Sequence, residues 1–312
     1  MSVRVFVVAA AVGLSAWPAA AQERRGPEET ERVTRTFKLG DSGRFSLSNV
    51  SGDVVVTGGS GGDLSVEAVK RTRGARAELA SVLIEFDERP GRVEVRTRHT
   101  ARRDRAAVDF TVTVPRGATV DLSSVSGDVR VTDVRGALRA QSVSGTVRIV
   151  RSPNVELAKT ISGDVEFAGD APDGRLTGST VSGTARATDV KARLLSLSAI
   201  SGNAEASNVE AERVEMKTIS GDVVFAGTPA RNARYEFNAH SGNVRLALGE
   251  SAGFELNAST FSGTIRSNLS VALGITSGNR RRTGRSAHVV VGNGGAAVDI
   301  STFSGNIVIE RR

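Results

Sequence analysis

The sequence predicts an all-β chain wound as a single β-solenoid of about 20-residue coils, two short strands per coil, with a less regular N-terminal part. Three observations predict it. A Ser-Gly pair followed by Asp, Asn or Thr recurs at Ser51, Ser126, Ser144, Ser162, Ser182, Ser201, Ser220, Ser241, Ser262 and Ser304. From Ser126 onward the steps are 18, 18, 20, 19, 19, 21, 21 and then 42, twice 21. A fixed period of this length marks one supersecondary unit stacked on the next. Each copy is also wrapped in period-2 alternation of apolar and polar residues, as in a strand with one buried face.

Taken in order, residues 1–21 read as a secretory signal peptide: Arg4, the apolar run Val5 to Trp17, and small residues Ala19-Ala20-Ala21 before Gln22. Cleavage leaves 291 of the 312 residues and lowers the net charge from +7 to +6. The chain is expected to be exported, periplasmic or extracellular, with no transmembrane segment or anchor in the mature part. Residues 22–39 read as a flexible linker. Residues 40–116 hold the first coil and an irregular cap, since 63–116 break the period. Within it Ala75–Leu83 suits a short helix, and Ile84–Asp87, Val93–Arg98 and Val108–Val114 suit strands. Residues 117–312 are the regular repeats.

Aligned on the serine, the repeat has apolar residues six and four positions earlier, such as Val120 and Leu122 or Val214 and Met216. After the corner come Val129/Val131, Val147/Ile149, Val165/Phe167, Val223/Phe225, Val244/Leu246 and Ile307/Ile309. Alanines replace them at 185, 187, 204 and 206, so the core narrows there or is filled from the opposite wall. Only the copy at Ser162 is out of step, with Val155 and Leu157 shifted by one, which predicts a bulge. One residue before the serine sit Val50, Val125, Val143, Ile161, Val181, Ile200, Ile219, His240, Phe261 and Phe303, read as a core or corner position.

The corner triads, among them Ser126-Gly127-Asp128, Ser162-Gly163-Asp164 and Ser220-Gly221-Asp222, are assigned a structural role. Glycine supplies φ > 0. Asp, Asn and Thr share an oxygen able to cap a local N–H, and a carboxylate needed for chemistry would not be replaced by threonine. The ten serines suggest a hydroxyl ladder from coil to coil. A second corner, rich in Gly, Pro, Asp and Asn, closes each coil, as in Gly169-Asp170-Ala171-Pro172. Roughly a dozen coils at about 4.8 Å make a rod of about 60 Å. The far end is expected at Ile307–Ile309, blunted by Glu310-Arg311-Arg312. Residues 274–286, with Arg280, Arg281 and Arg282, read as a basic loop, with pairing resuming at His288–Val291.

Composition excludes several function classes. There is no cysteine, so no disulfide framework, thiolate zinc site or iron–sulfur cluster. The mature chain lacks tryptophan and keeps one tyrosine, Tyr235, which argues against an aromatic platform for sugars or single-stranded nucleic acid. His99, His240 and His288 lie in unrelated settings, and neither a metal site nor any cofactor is expected. Gly58-Gly59-Ser60-Gly61-Gly62 matches the esterase elbow literally, but strands rather than a strand and a helix flank it, so it reads as a hairpin tip.

The repeated Val-Ser-Gly-Asp-Val-x-Val, with Gly292-Asn293-Gly294-Gly295 and Phe303-Ser304-Gly305-Asn306-Ile307, resembles the DUF4097 family of β-strand-repeat proteins over about residues 40–312. That resemblance implies a β-solenoid, exported or membrane-attached. Members are labelled candidate adhesins, some linked to envelope stress, and the family offers no catalytic residues to carry over.

The best functional feature is an outward row between the two apolar residues after the corner: Arg130, Arg148, Glu166, Arg186, Glu205, Val224, Arg245, Arg266. Interleaved signs suit a solvated ladder. The arginine excess, 36 Arg against 5 Lys, also suits bidentate contact with phosphate or carboxylate. The loop 98–105, with Arg98, Arg102, Arg103 and Arg105, and the loop 280–285 add basic charge. The reading is a non-catalytic binding or structural module at the cell envelope, adhesin-like and contacting an anionic surface polymer. The alternatives are a carbohydrate-active enzyme, which needs paired carboxylates in a groove, and a structural spacer or self-assembling rod.

Overall fold

The alternation resolves into two parallel β-walls that share one core. The computed structural model describes residues 28–100, 106–249, 253–269, 274–277, 285–292 and 295–312; the expected signal peptide, Arg102, Arg103 and Arg105, and Arg280, Arg281 and Arg282 lie outside these. The first wall holds the strands that end on the serines, from Arg44–Ser51 and Thr119–Ser126 through Asn154–Ser162 to Arg234–Ser241. The second wall holds those that follow the corner, including Val129–Thr132, Val147–Val150 and Val165–Ala168. Pairing is in register at the serine in every step, as in Ser126↔Ser144 and Ser144↔Ser162. The expected bulge is present: Leu138 faces Val155 but Arg139 faces Leu157, so Glu156 is extra.

One contiguous core runs the length of the rod, with Val120, Leu122, Val214 and Met216 fully buried. The alanine coils are filled from the first wall by Leu195 and Leu197. Beside them Phe167 occupies the space that a side chain at Gly178 would need. Two coils add a third, narrow wall within the long strands Ala185–Ser201 and Ala204–Ser220, where Val190 and Ala192 pair with Val209 and Ala211. The second corner turns on left-handed residues Asp133, Arg151, Gly169, Asp189 and Asn208.

Several expectations are corrected. The coils do not stack in chain order. Arg234–Ser241 pairs with Ala296–Ser304, which pairs in turn with Phe254–Ser262. The C-terminal coil is therefore inserted between two earlier ones, and Ile307–Arg311 lies between the strands Val244–Leu248 and Ile265–Ser267 instead of ending the rod. The real end is covered by Arg285–Val291, antiparallel to Phe254–Ser262 and to Gly274–Ser277. Both ends of the expected 274–286 loop are thus strand; 278–284 lie outside the described residues.

At the other end, the described residues between 63 and 116 lie beside the first coil. Arg92–His99 and Ala107–Pro115 pair parallel to the first coil. Antiparallel strands Asp63–Thr72 and Val82–Arg89 follow, with a helix at Ala77–Ala80. Residues 22–39 are not all linker: Glu29–Lys38 pairs antiparallel with Asp63–Thr72. That strand was hidden because it buries only Phe37, with Val33 partly covered, and its other residues are charged or threonine.

Candidate functional site

At the corner the glycines stack against one another. In most coils glycine φ lies between 110° and 158°. A methyl added at Gly163 would overlap the carbonyl oxygen of Gly145 in the preceding coil, and one at Gly221 would overlap that of Gly202. Close approach thus acts beside the φ > 0 requirement. Where the residue after the glycine is Asp or Asn, its side chain caps the neighbouring coil, not its own. Asp128 Oδ1 accepts from Thr146 N at 2.8 Å and Asp164 Oδ1 from Thr184 N at 2.7 Å. Asn203 Oδ1 accepts from Asp222 N, and Asp222 Oδ1 from Asn243 N. Threonine N–H groups donate to these oxygens, and among the described residues no threonine side-chain oxygen accepts from a neighbouring coil's corner N–H.

The hydroxyl ladder lies two residues before the expected serines. Thr160, Thr180, Thr260 and Thr302 are buried and donate to glycine carbonyls of neighbouring coils, as Thr180 Oγ1 does to Gly163 O at 2.9 Å. Asn49 fills this place in the first coil, bonding Gly52 O at 3.0 Å and Val108 O at 2.9 Å. Side chains alternate up to the residue before the serine, which puts the residue two before the serine inside; at the corner the alternation breaks, and the serine is exposed in all but the first coil.

On the outer face of the second wall, Arg130, Arg148, Glu166, Arg186 and Glu205 are consecutive rungs. Arg148 pairs with Glu166 at 2.9 Å and Arg186 with Glu205 at 2.9 Å. The ladder reading of these four is therefore right, and they offer little free charge. Val224 and Arg245 follow, then Val308 from the inserted coil, then Arg266. Arg130, Arg245 and Arg266 form no ion pair among the described residues. Two paired groups and three unpaired guanidiniums thus share one wall.

A depression of about 540 Å³ opens on the outer face of the first wall near the C-terminal end, lined in part by Arg234, Glu236, Asn257, His288 and Asp299. His288 Nδ1 lies 2.8 Å from Asn257 Oδ1, and Asn257 donates to Asp299 at 3.2 Å. Sequence reading missed it because coil insertion brings 299 beside 236. The histidines remain apart: His240 stacks on Phe303 at 5.1 Å, and His99 ends the capping strand Arg92–His99. Among the described residues no cluster of His, Asp and Glu could hold a metal ion, and no helix is long and apolar enough to cross a membrane.

The family model described as Toastrack DUF4097 matches residues 153–234. That match covers 82 of the 312 residues, about a quarter of the chain. It spans the corners at Ser162, Ser182, Ser201 and Ser220, and with them Glu166, Arg186 and Glu205; the unpaired Arg130, Arg245 and Arg266 lie outside it. No curated protein matches the chain. Among solved structures, a candidate adhesin from Bacteroides fragilis NCTC 9343 is 14% identical with a TM-score of 0.42, covering 89% of this chain and 97% of its own. A candidate lipid-binding protein from Parabacteroides distasonis ATCC 8503 is 14% identical with a TM-score of 0.45, covering 90% and 96%. A candidate cell adhesion protein from Clostridium sporogenes ATCC 15579 is 9% identical with a TM-score of 0.26, covering 91% and 100%.

Proposed function

We propose that the chain is an exported, non-catalytic β-solenoid module of the cell envelope that binds an anionic surface polymer along its second wall. The observation that carries this reading is the set of unpaired outward guanidiniums, Arg130, Arg245 and Arg266, on one row. Arg130 stands eight coils from Arg266, roughly 38 Å at strand spacing. An extended polyanion meets charges so far apart; one small anion does not. Exposed guanidiniums hold phosphate or carboxylate bidentately, and screening acts over about 8 Å at physiological ionic strength.

Retention of the mature protein on lipopolysaccharide or an acidic glycan tests it. Binding at low salt should be lost at high salt. The triple variant R130S/R245S/R266S should bind far less with an unchanged melting temperature, while R280S/R281S/R282S examines that basic run separately. No retention at low salt would favour the spacer reading.

A further inference from the structure

The apolar residue before each serine does not enter the core. Side chains alternate along the first wall, so this position, next to the buried Thr or Ser ladder, faces solvent. Val50, Val125, Val143, Ile161, Ile200, Ile219, Phe303 and Phe261 are between 38% and 53% exposed. Only two other large apolar side chains among the described residues are as exposed, Leu83 and Val290. In spatial order the line runs Val50, Val125, Val143, Ile161, Val181, Ile200, Ile219, His240, Phe303, Phe261. Its last three members form a ring stack, His240 on Phe303 at 5.1 Å and Phe303 on Phe261 at 4.8 Å.

This is a single-file apolar ridge along the whole stack of coils. It presents on the order of 600 Å² of apolar surface, the upper end of what a monomer exposes. A standard interface covers roughly 800 Å² per partner, and the rows beside the ridge supply the rest. Those rows are nearly uncharged: the exposed corner serines on one side, and Ser48, Ser123, Ser179, Ser198, Ser301 and Ser259 on the other, broken chiefly by Lys159 and Lys217. A membrane-seated strip would instead carry flanking cations and spread its aromatics along its length.

We propose that the ridge is a homodimer interface, two copies packing ridge to ridge in antiparallel two-fold fashion. Both ridges repeat at strand spacing, so they interlock along their whole length, and a two-fold axis closes the contact. Side-chain size sets the direction. The ridge widens from valine at the N-terminal end to phenylalanine at the other. Antiparallel packing sets Val50 against Phe261 and Ile161 against Ile219, giving an even gap; parallel packing would hold the valine ends apart.

The chain has no cysteine, so introduced thiols report neighbours cleanly. Light scattering of the mature protein at micromolar concentration should give twice the chain mass. I161D and I200D should each weaken association by roughly a hundredfold, because each charge enters the interface twice, with melting of the separated chain unchanged. A short bismaleimide should join V50C/F261C between chains and leave V50C alone unjoined. A monomeric wild type, or a dimer indifferent to both aspartates, overturns the proposal, and cross-linking of V50C alone overturns the antiparallel arrangement. If the protein is monomeric and floats with phosphatidylethanolamine–phosphatidylglycerol vesicles only when the ridge is intact, the ridge is a membrane contact and the dimer falls.

Discussion

Replacing Gly163 by alanine adds one methyl at a point where backbone conformation and packing both resist it. Gly163 has φ 145°; holding an L-residue in so sparsely populated a region costs about 1–3 kcal/mol. The methyl would also overlap the carbonyl oxygen of Gly145 and lie 2.8 Å from its carbonyl carbon. Backbone cannot swing aside as a flexible side chain would, so two coils must part, at about 1–3 kcal/mol for overpacking. Together these reach roughly 2–6 kcal/mol, or a fall of about 10 °C in melting temperature for a domain of this size. Two controls separate the contributions. Gly91 has φ 68° with nothing near an added methyl, so Gly91→Ala should cost about 1–2 kcal/mol from conformation alone. Gly305 has no left-handed φ, yet its methyl would overlap the Gly242 carbonyl oxygen, so Gly305→Ala isolates the packing cost. Urea titrations and thermal melts of the three variants measure this. If Gly163→Ala costs no more than Gly91→Ala, the glycine-on-glycine stack does not constrain the coil spacing and the reasoning fails.

Asp164→Asn keeps the oxygen that accepts from Thr184 N and should change stability by less than about 0.5 kcal/mol, whereas Asp164→Ala leaves that N–H uncapped at about 1 kcal/mol; comparing their melts decides it. Val165→Asp places an unpaired charge in the core and should cost several kcal/mol, while Glu166→Asp on the exposed ladder should stay within about 0.5 kcal/mol. Equal effects would reverse the assignment of inner and outer faces. Asp133 accepts two bonds from Arg151, at 2.9 and 2.7 Å, and this guanidinium holds its carboxyl below the usual carboxylate range. Because the folded pKa is depressed, the pair stabilises at neutral pH and the contribution is lost as pH falls below the ordinary carboxylate range and through the folded pKa. Asp133→Asn, with a residue that tolerates the left-handed corner as Asn208 does, should therefore melt lower than wild type at pH 7, the gap closing in acid.

By itself the sequence determined the coil, its period, the two corners, the bulge near Glu156 and which residues after the corner face inward. These are local consequences of a period of two and of glycine at a tight turn, so they survive without knowledge of any neighbour. The Arg148–Glu166 and Arg186–Glu205 ladders were legible too, because consecutive coils are consecutive in the chain over that stretch. What lay beyond reach depends on contacts between coils. The Asp and Asn side chains cap a neighbouring turn, the glycines need room for a neighbouring carbonyl, and Thr160 or Thr180, not the serines, carry the hydroxyl ladder. Only the tertiary structure decided that the coil at Ser304 slides between those at Ser241 and Ser262. No local signal encodes that order, since a parallel register of serines is equally satisfied by either neighbour. The insertion alone separates Arg245 from Arg266 by Val308, brings Asp299 beside Glu236, and stacks Phe303 between His240 and Phe261. Strand alternation then settles the line of Val, Ile and Phe before the serines: two consecutive residues cannot both face the core, and the hydroxyl that caps the glycine carbonyl takes the inside.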